Sequence, residues 1–341
     1  MAVTDSLDMF GAAAGLADQI DCAARAAAGV TALPSAEGIT AVVVFGMGGS
    51  GIGGDVLAAI AGPTCPVPIV VSKTYECPAF VGPNTLVFAS SFSGNTQETI
   101  EAATVAHERG ARLIVLAHGG RLADLAQQWG VPHLPVEDGL PMPRAGIAAV
   151  SIPLLVTLDR LGLCEEMDDH ISAAIHQVQH RIAKLSLADS DAAVLARRIG
   201  RTLPIIYGDA GLGEVAALRW KGQFNENTKV AAFTNRVPEL THNELCGWGQ
   251  HGDVTRQVFS LIELRHGFEH AKNSRRLDLV AEICEEICAE VYSVTAEGDG
   301  RLAQLFDLIV QGDYVTLEHA IQSEVDPGPI PVLDAIKAAM A

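Results

Sequence analysis

The sequence predicts two α/β domains, each a doubly wound parallel sheet with flanking helices, and three observations carry that expectation. Short apolar runs alternate with helical segments through both halves of the chain, the pattern of strand–helix–strand units. The runs that begin each half, residues 40–45 (T-A-V-V-V-F) and 203–208 (L-P-I-I-Y-G), are continuously apolar rather than alternating, as befits parallel strands buried on both faces. Each run is followed by a Gly-bearing turn that opens a helix. The length of 341 residues agrees, being that of about two ordinary domains with a core each.

In chain order, residues 12–30 are Ala-rich, with Leu16, Ile20, Ala23, Ala24 and Ala27 at helical spacing, and predict an N-terminal helix packed on the residues after it. After the strand at 40–45, residues 46–55 (G-M-G-G-S-G-I-G-G-D) open a helix through Leu57, Ala58 and Ile60. Strands follow at 68–71 and 86–89, the latter running into A-S-S-F-S-G-N-T-Q-E-T-I at 89–100. A helix at 100–109, a strand at 111–117, Gly119-Gly120, a further helix and a short strand near 133–136 complete the first sheet. Residues 141–144 (P-M-P-R) lead into an apolar helix at 147–161, and a charged, Gly-free stretch links to the second half. There, a Gly-bearing turn at 209–213 and a helix at 214–224 follow the first strand. Further strands are predicted at 230–234 and 259–264, with a helix at 283–294 running toward another strand. The expected organisation is an N-terminal domain at 1–163, a helical linker at 164–190 and a C-terminal domain at 191–341.

Bulk properties exclude several classes of function. The formal charge of −18 argues against nucleic acid as a partner, which needs clustered Lys and Arg. It also repels anionic ligands at long range, so a phosphorylated substrate has to be held by local dipoles and a few placed cations. Although 49% of residues are hydrophobic, no run approaches the roughly 18 to 20 apolar residues of a membrane span. The first 15 residues carry Asp5 and Asp8 and no basic cluster, unlike a secretory signal. A cytoplasmic location is expected. The cysteines at 22, 65, 77, 164, 246, 284 and 288 are odd in number and form no C-x-x-C, which reads as scattered reduced thiols rather than a metal site.

The chemistry-bearing stretches each have a bland reading beside the functional one. Ser90, Ser91, Ser93, Asn95, Thr96 and Thr99 crowd a strand-to-helix turn, and with the free amides of a first helical turn they suit a phosphate monoester. Gly46, Gly48 and Gly51 spell G-x-G-x-x-G, but the strand at 68–71 ends in Ser72 and Lys73, with Glu76 displaced into a turn. That is not the acidic residue a dinucleotide's ribose needs. The loop then serves close approach to another ligand, which Ser50 favours, or a tight turn with no ligand. Glu226, in N-E-N-T-K at 225–229, is either a polar helix end or a carboxylate base. His242, in P-E-L-T-H-N-E at 238–244, is either a solvated side chain or a proton carrier. Residues 326–337 (D-P-G-P-I-P-V-L-D-A-I-K) read as a Pro-stiffened crossing followed by a short helix carrying Lys337, where the bland reading is a solvated lysine on a terminal helix. Arg144 is either an anion clamp or a surface Arg at a helix start. Cys284 and Cys288, with Ile283 and Ile287, look like one buried helix face, and His176 and His180 lie on the polar linker.

Taken together, G-M-G-G-S-G-I-G-G-D at 46–55, S-F-S-G-N-T-Q-E-T at 91–99, P-R-A at 143–145, N-E-N-T-K at 225–229, E-L-T-H-N-E at 239–244 and the final D-P-x-P with Lys337 resemble the bifunctional phosphoglucose/phosphomannose isomerase family. This family is built from two sugar-isomerase (SIS) domains of flavodoxin-like, doubly wound fold. The resemblance spans nearly the whole chain in the same order. It implies interconversion of glucose 6-phosphate, and of mannose 6-phosphate, with fructose 6-phosphate through a cis-enediolate, with no metal or redox cofactor. It further implies that Ser91, Ser93 and Thr96 grip the phosphate, that Gly49 and Ser50 line the sugar site, and that Arg144 lies near the reacting carbons. Glu226 is then the base, and His242 and Lys337 are the ring-opening groups, with His242 supplied by the neighbouring subunit of a homodimer. Gly328 departs from the pattern, since a small hydroxyl residue is expected there, and that bears on tolerance at C2. Two other readings stay open at this point: a non-catalytic sugar-phosphate-binding SIS protein, and a SIS enzyme acting on a different sugar phosphate.

Overall fold

A computed structural model describes residues 4–340. The chain divides into two compact units, Gly15–Ile175 and a second formed by His176–Ala341 together with Met1–Ala14. The short helix α1 (Met9–Ala14) therefore belongs with the later half of the sequence.

The unit Gly15–Ile175 begins with α2 (Leu16–Ala28) and continues through β1 (Ala41–Phe45), α3 (Gly48–Ala61), β2 (Ile69–Ser72), β3 (Thr85–Ser91), α4 (Gln97–Glu108), β4 (Arg112–Ala117), α5 (Gly120–Trp129), β5 (His133–Pro135) and α6 (Ile147–Arg160). Its strands pair in parallel in the order β2-β1-β3-β4-β5. The order reverses direction between β1 and β3, and such a switch point leaves a crevice at the carboxyl ends of the two strands. Every residue of β1 and β3 is buried. One face of the sheet packs Val43, Phe45, Val87 and Val115 against Ala102, Ala103 and Ala106 of α4 and Leu122 and Ala126 of α5. α3 approaches α6 and the sheet so closely that a Cβ on Gly53 would stand 2.3 Å from Val150 O, and one on Gly54 2.9 Å from Val44 Cγ1. Two glycines of the Gly-rich stretch thus serve helix packing.

α7 (Asp168–Leu185) spans the boundary between the units. The second unit then comprises α8 (Asp191–Ile199), β6 (Leu203–Asp209), α9 (Leu212–Gln223), β7 (Phe233–Val237), α10 (Gly252–Val258), β8 (Phe259–Arg265), α11 (Ala271–Cys284), β9 (Glu290–Thr295), α12 (Arg301–Gln322) and α13 (Pro331–Met340). Its parallel order, β7-β6-β8-β9, repeats that of the first sheet without a counterpart of β5. The doubly wound architecture expected from the sequence is thus present twice. α12 is the spine of this unit. Its Asp307, wholly buried, accepts Gln177 Nε2 at 2.7 Å, Arg181 Nε at 2.7 Å and the Glu297 N–H at 2.8 Å. Farther along, Asp313 accepts Arg219 Nη2 at 3.0 Å and Gln223 Nε2 at 2.6 Å. Between them Trp220 Nε1 donates to Leu308 O at 2.7 Å, and a Cβ on Gly312 would stand 2.4 Å from that indole nitrogen.

Three element expectations are corrected here. The strand expected at 230–234 is β7, three residues later. The apolar V-A-A-F run misled because β7 is a half-exposed edge strand reading F-T-N-R-V. No helix runs over 283–294: α11 stops at Cys284, and residues 290–295 are the edge strand β9. Helix α11, which precedes it, was not anticipated, since only Leu277, Val280 and Cys284 of its residues are buried. Among the described residues no helix is long and apolar enough to cross a membrane.

Candidate active site

The carboxyl ends of β1 and β3 lie in register, Phe45 beside Ala89, so the Gly-rich and Ser/Thr-rich loops leave the sheet together at the switch point. Ser50 Oγ accepts the Phe92 N–H at 2.8 Å and ties one loop to the other. Ser91 Oγ and Thr96 Oγ1 are 2.8 Å apart in a shared hydrogen bond, and Ser91 Oγ also accepts the Gly94 N–H at 3.0 Å. Ser93 Oγ accepts the Asn95 N–H at 3.3 Å. Thr96 is the N-cap of α4 in extended backbone, yet its hydroxyl turns to Ser91 rather than capping the helix. The first-turn amides of α4 have no intrahelical carbonyl to meet, which leaves a positive dipole end beside a ring of hydroxyls.

A third loop, which sequence reasoning passed over, braces this cradle. Gly94 has φ of +74°, and a Cβ there would stand 1.7 Å from Gly119 O. The His118 N–H donates to Phe92 O at 3.0 Å, the Arg121 N–H to Asn95 Oδ1 at 3.0 Å, and the Leu122 N–H to Gly94 O at 2.8 Å. The only sequence signal was the Gly119-Gly120 pair, of which Gly120 has φ of +68°.

Gly49 touches the 3-10 turn Pro143–Ala145, since a Cβ on it would be 3.1 Å from Pro143 O and 3.6 Å from Arg144 N. Just beyond that turn, a Cβ on Gly146 would lie 2.7 Å from Phe92 Cε2. Arg144 is buried, with 3% of its surface exposed, and is not a surface residue at a helix start. The structure therefore gathers Gly49, Ser50, Ser91, Ser93, Thr96 and Arg144 into one neighbourhood. The place after β2 where a dinucleotide's ribose would want an acid holds Lys73, ion-paired with Asp55 of α3.

Glu226 is half-buried in the middle of a π-helical turn, Phe224–Thr228, that continues α9, a geometry common at functional positions. The rest of N-E-N-T-K holds that turn. Asn225 Nδ2 donates to Val230 O at 2.9 Å, Asn227 Nδ2 to Thr316 Oγ1 of α12 at 3.0 Å, and Thr228 Oγ1 to Phe224 O at 2.6 Å. Lys229, at φ of +58°, donates to Glu226 O at 2.8 Å and to Asp326 O at 2.9 Å.

His242 and Lys337 stand on elements of their own. His242 ends the 3-10 turn Glu239–His242 after β7 and is exposed. Its neighbour Glu244 turns inward and accepts from Tyr207 Oη and Asn235 Nδ2. Lys337 lies on α13, none of whose residues is buried. The departure at Gly328 has a steric counterpart, because a Cβ there would stand 2.8 Å from Leu7 Cγ. Asp326 fastens the same place by accepting the Ser6 N–H at 3.3 Å and the Gly328 N–H at 3.0 Å.

The carboxyl ends of β6 and β8 carry different chemistry. Asp209 accepts the His270 N–H at 3.2 Å and Asn273 Nδ2 at 2.7 Å, and Glu269 accepts Arg265 Nε at 3.0 Å and the His266 N–H at 2.9 Å. Burial holds His266 below its ordinary value of 6.5. In mid-strand, burial pushes Glu263 up from 4.5 to about 7, which Arg265 only partly offsets, since an ionised carboxylate loses its hydration there.

The model of the bacterial phospho-glucose isomerase C-terminal SIS domain matches residues 188–340. A bifunctional phosphoglucose/phosphomannose isomerase of Caldicellulosiruptor bescii is 35% identical over 98% of this chain and 99% of its own. One of Thermoplasma acidophilum is 31% identical over 87% of this chain and 88% of its own. Among solved structures, the C-terminal domain of glucosamine-fructose-6-phosphate aminotransferase from Francisella tularensis matches with a TM-score of 0.69 at 14% identity. That match covers 92% of this chain and 95% of the other and is a likeness of fold alone. Two doubly wound units, the motifs in register and full-length similarity lead to one conclusion: the chain belongs to the bifunctional phosphoglucose/phosphomannose isomerase family.

Proposed function

We propose that the chain is an aldose–ketose isomerase that interconverts glucose 6-phosphate with fructose 6-phosphate and takes mannose 6-phosphate as a second aldose. The observation that carries this reading is the hydroxyl cluster at the ends of β1 and β3, closed by Ser91, Thr96 and Ser50, in a chain of this family.

Ser91, Ser93, Thr96 and the first-turn amides of α4 hold the phosphate, which is remote from the reacting carbons and fixes their position. Gly49 and Ser50 line the sugar. His242 and Lys337 assist ring opening by moving the proton between the ring oxygen and the anomeric hydroxyl. The Glu226 carboxylate then removes the proton from C2 of the aldose, giving a cis-enediolate, and returns it to C1, while the proton of the C2 hydroxyl passes to O1 and C2 becomes the ketone. Arg144, charged at any working pH, stabilises the enediolate oxygens. Carriage of the proton by one carboxylate contributes roughly 10²- to 10⁴-fold. The exposed position of His242 supports its being offered to the neighbouring subunit of a homodimer, and a cytoplasmic place of action belongs to the same reading. Gly328, where a Cβ would meet Leu7, is the departure that bears on tolerance at C2.

A coupled assay on the three sugar 6-phosphates without added metal tests the activity. Fructose 6-phosphate is expected to yield both aldoses, and absence of any interconversion would refute the reading. For the shared site, inactive His242→Ala and Glu226→Gln proteins are mixed, and activity is expected to recover in part. No recovery despite proven subunit exchange counts against it.

A further inference from the structure

We infer that Lys229 is the positioning residue for Glu226, clamping the π-helical turn to the chain segment that leads into α13. The inference rests on the isomerase reading and goes beyond it in naming what holds the base still.

Four carbonyls surround the Lys229 ammonium: Glu226 O at 2.8 Å, Asn227 O at 3.3 Å, Asp326 O at 2.9 Å and Pro327 O at 3.3 Å. Two belong to the turn that carries Glu226, and two to a segment roughly a hundred positions away in sequence. An ammonium has three protons, so main-chain oxygens are enough to take all of them, although Lys229 itself lies at the surface. The turn's carbonyls lie at a helix C-terminus, where a cation is favoured. The backbone supports the assignment. Lys229 adopts φ of +58°, a conformation uncommon in a non-Gly residue, and its N–H closes the π turn on Phe224 O. Asn225, Asn227 and Thr228 fix the turn internally and to α12. Lys229 adds the link to residues 326–327, which Asp326 pins in turn by accepting from Ser6 and Gly328. The base and the segment preceding Lys337 are thus fastened through one ammonium. A proton carrier needs that, because misplacing it by about 1 Å costs on the order of 100-fold.

Lys229→Met removes the donors, whereas Lys229→Gly also relaxes the left-handed backbone. Both are compared with the wild-type protein in the coupled fructose 6-phosphate assay. They are also compared in the share of deuterium that passes, per turnover, from C2 of labelled glucose 6-phosphate to C1 of the ketose. Both variants are expected to lose roughly 10- to 100-fold in kcat, to change KM little, and to pass less label to C1. Lys229→Arg is expected to recover part of kcat. Wild-type kcat, or a lower kcat with wild-type label transfer, would overturn the assignment, since loss of folded protein lowers the first without moving the second. If the wild-type protein itself shows no isomerisation, it is the activity that fails. The clamp is then read by amide hydrogen exchange, where Lys229→Met is expected to raise exchange across residues 225–229 and 326–328, and unchanged protection would overturn it.

Discussion

At equivalent positions in the two sheets, the same strand order supports opposite chemistry. Where β1 and β3 end, the polar groups are serine and threonine hydroxyls and helix amides, and their hydrogen bonds organise a cradle suited to an anion. Where β6 and β8 end, the groups are Asp209, His266 and Glu269, and the carboxylates are satisfied from within by Asn273, Arg265 and main-chain N–H groups. A sheet edge of this order is a place to put a ligand, but the loop chemistry decides whether one is wanted. In the second unit the residues assigned to the reaction have moved off the strand ends. They occupy a π-helical turn, a 3-10 turn and a C-terminal helix.

Substitutions in each unit test that contrast. The largest effect is expected from Glu226→Gln, with kcat falling by roughly 10² to 10⁴. Competitive inhibition by inorganic phosphate should hold near its wild-type value, so weakened phosphate binding would show that the two units' roles are not separable in this way. Next comes Gly94→Ala, whose methyl would meet Gly119 O at 1.7 Å and must unseat the Ser/Thr loop. KM for fructose 6-phosphate should rise about tenfold or more, as expected where binding contacts are lost. Its counterpart is Gly211→Ala in the second sheet's turn, at φ of +88° with open space around the position. That change should cost roughly 1 kcal/mol of stability through the backbone alone and leave KM within twofold, as thermal denaturation and steady-state kinetics would read out.

The smallest effect on catalysis comes with a pH dependence of stability. Glu263 keeps its proton up to about pH 7 in the folded protein but releases it near 4.5 when unfolded. Between those values the native state holds the extra proton, so stability falls as pH rises through the window and is level outside it. Glu263→Gln should remove that contribution, and the difference in Tm between variant and wild type should grow from pH 4.5 to 7. A constant difference would mean the carboxyl is not titrating there.

How legible all this was in the sequence varied with burial. Strands β1, β3, β4, β6 and β8 announced themselves because parallel strands covered on both faces carry largely apolar runs. The edge strands β7 and β9 were misplaced because one side of each faces outward and their polar residues break the run. Among the site residues, the hydroxyl cluster was visible as composition, since no core needs that many small hydroxyls at a strand end. Its bracing was not, because the Phe92 amide and the 118–122 loop act through main-chain atoms that no side-chain pattern reports. Lys229 was read as one letter of a motif. Its reach to residues 326–327 depends on a left-handed backbone and a fold that closes over nearly a hundred residues. Gly328 was seen only as a departure, and its reason lay at Leu7, far away in sequence.

That last contact says something about how the molecule is made. The unit Gly15–Ile175 is continuous in sequence, so its sheet can close on the ribosome while the remainder is still being translated. The other unit draws in α1, whose Phe10 meets Tyr314 edge-on at 6.1 Å, and Ser6, which donates to Asp326 across a separation of 320 positions. At about 5 to 20 residues per second, the segment before the first unit waits on the order of 15 s to a minute for those partners, while the chain in between folds ahead of it.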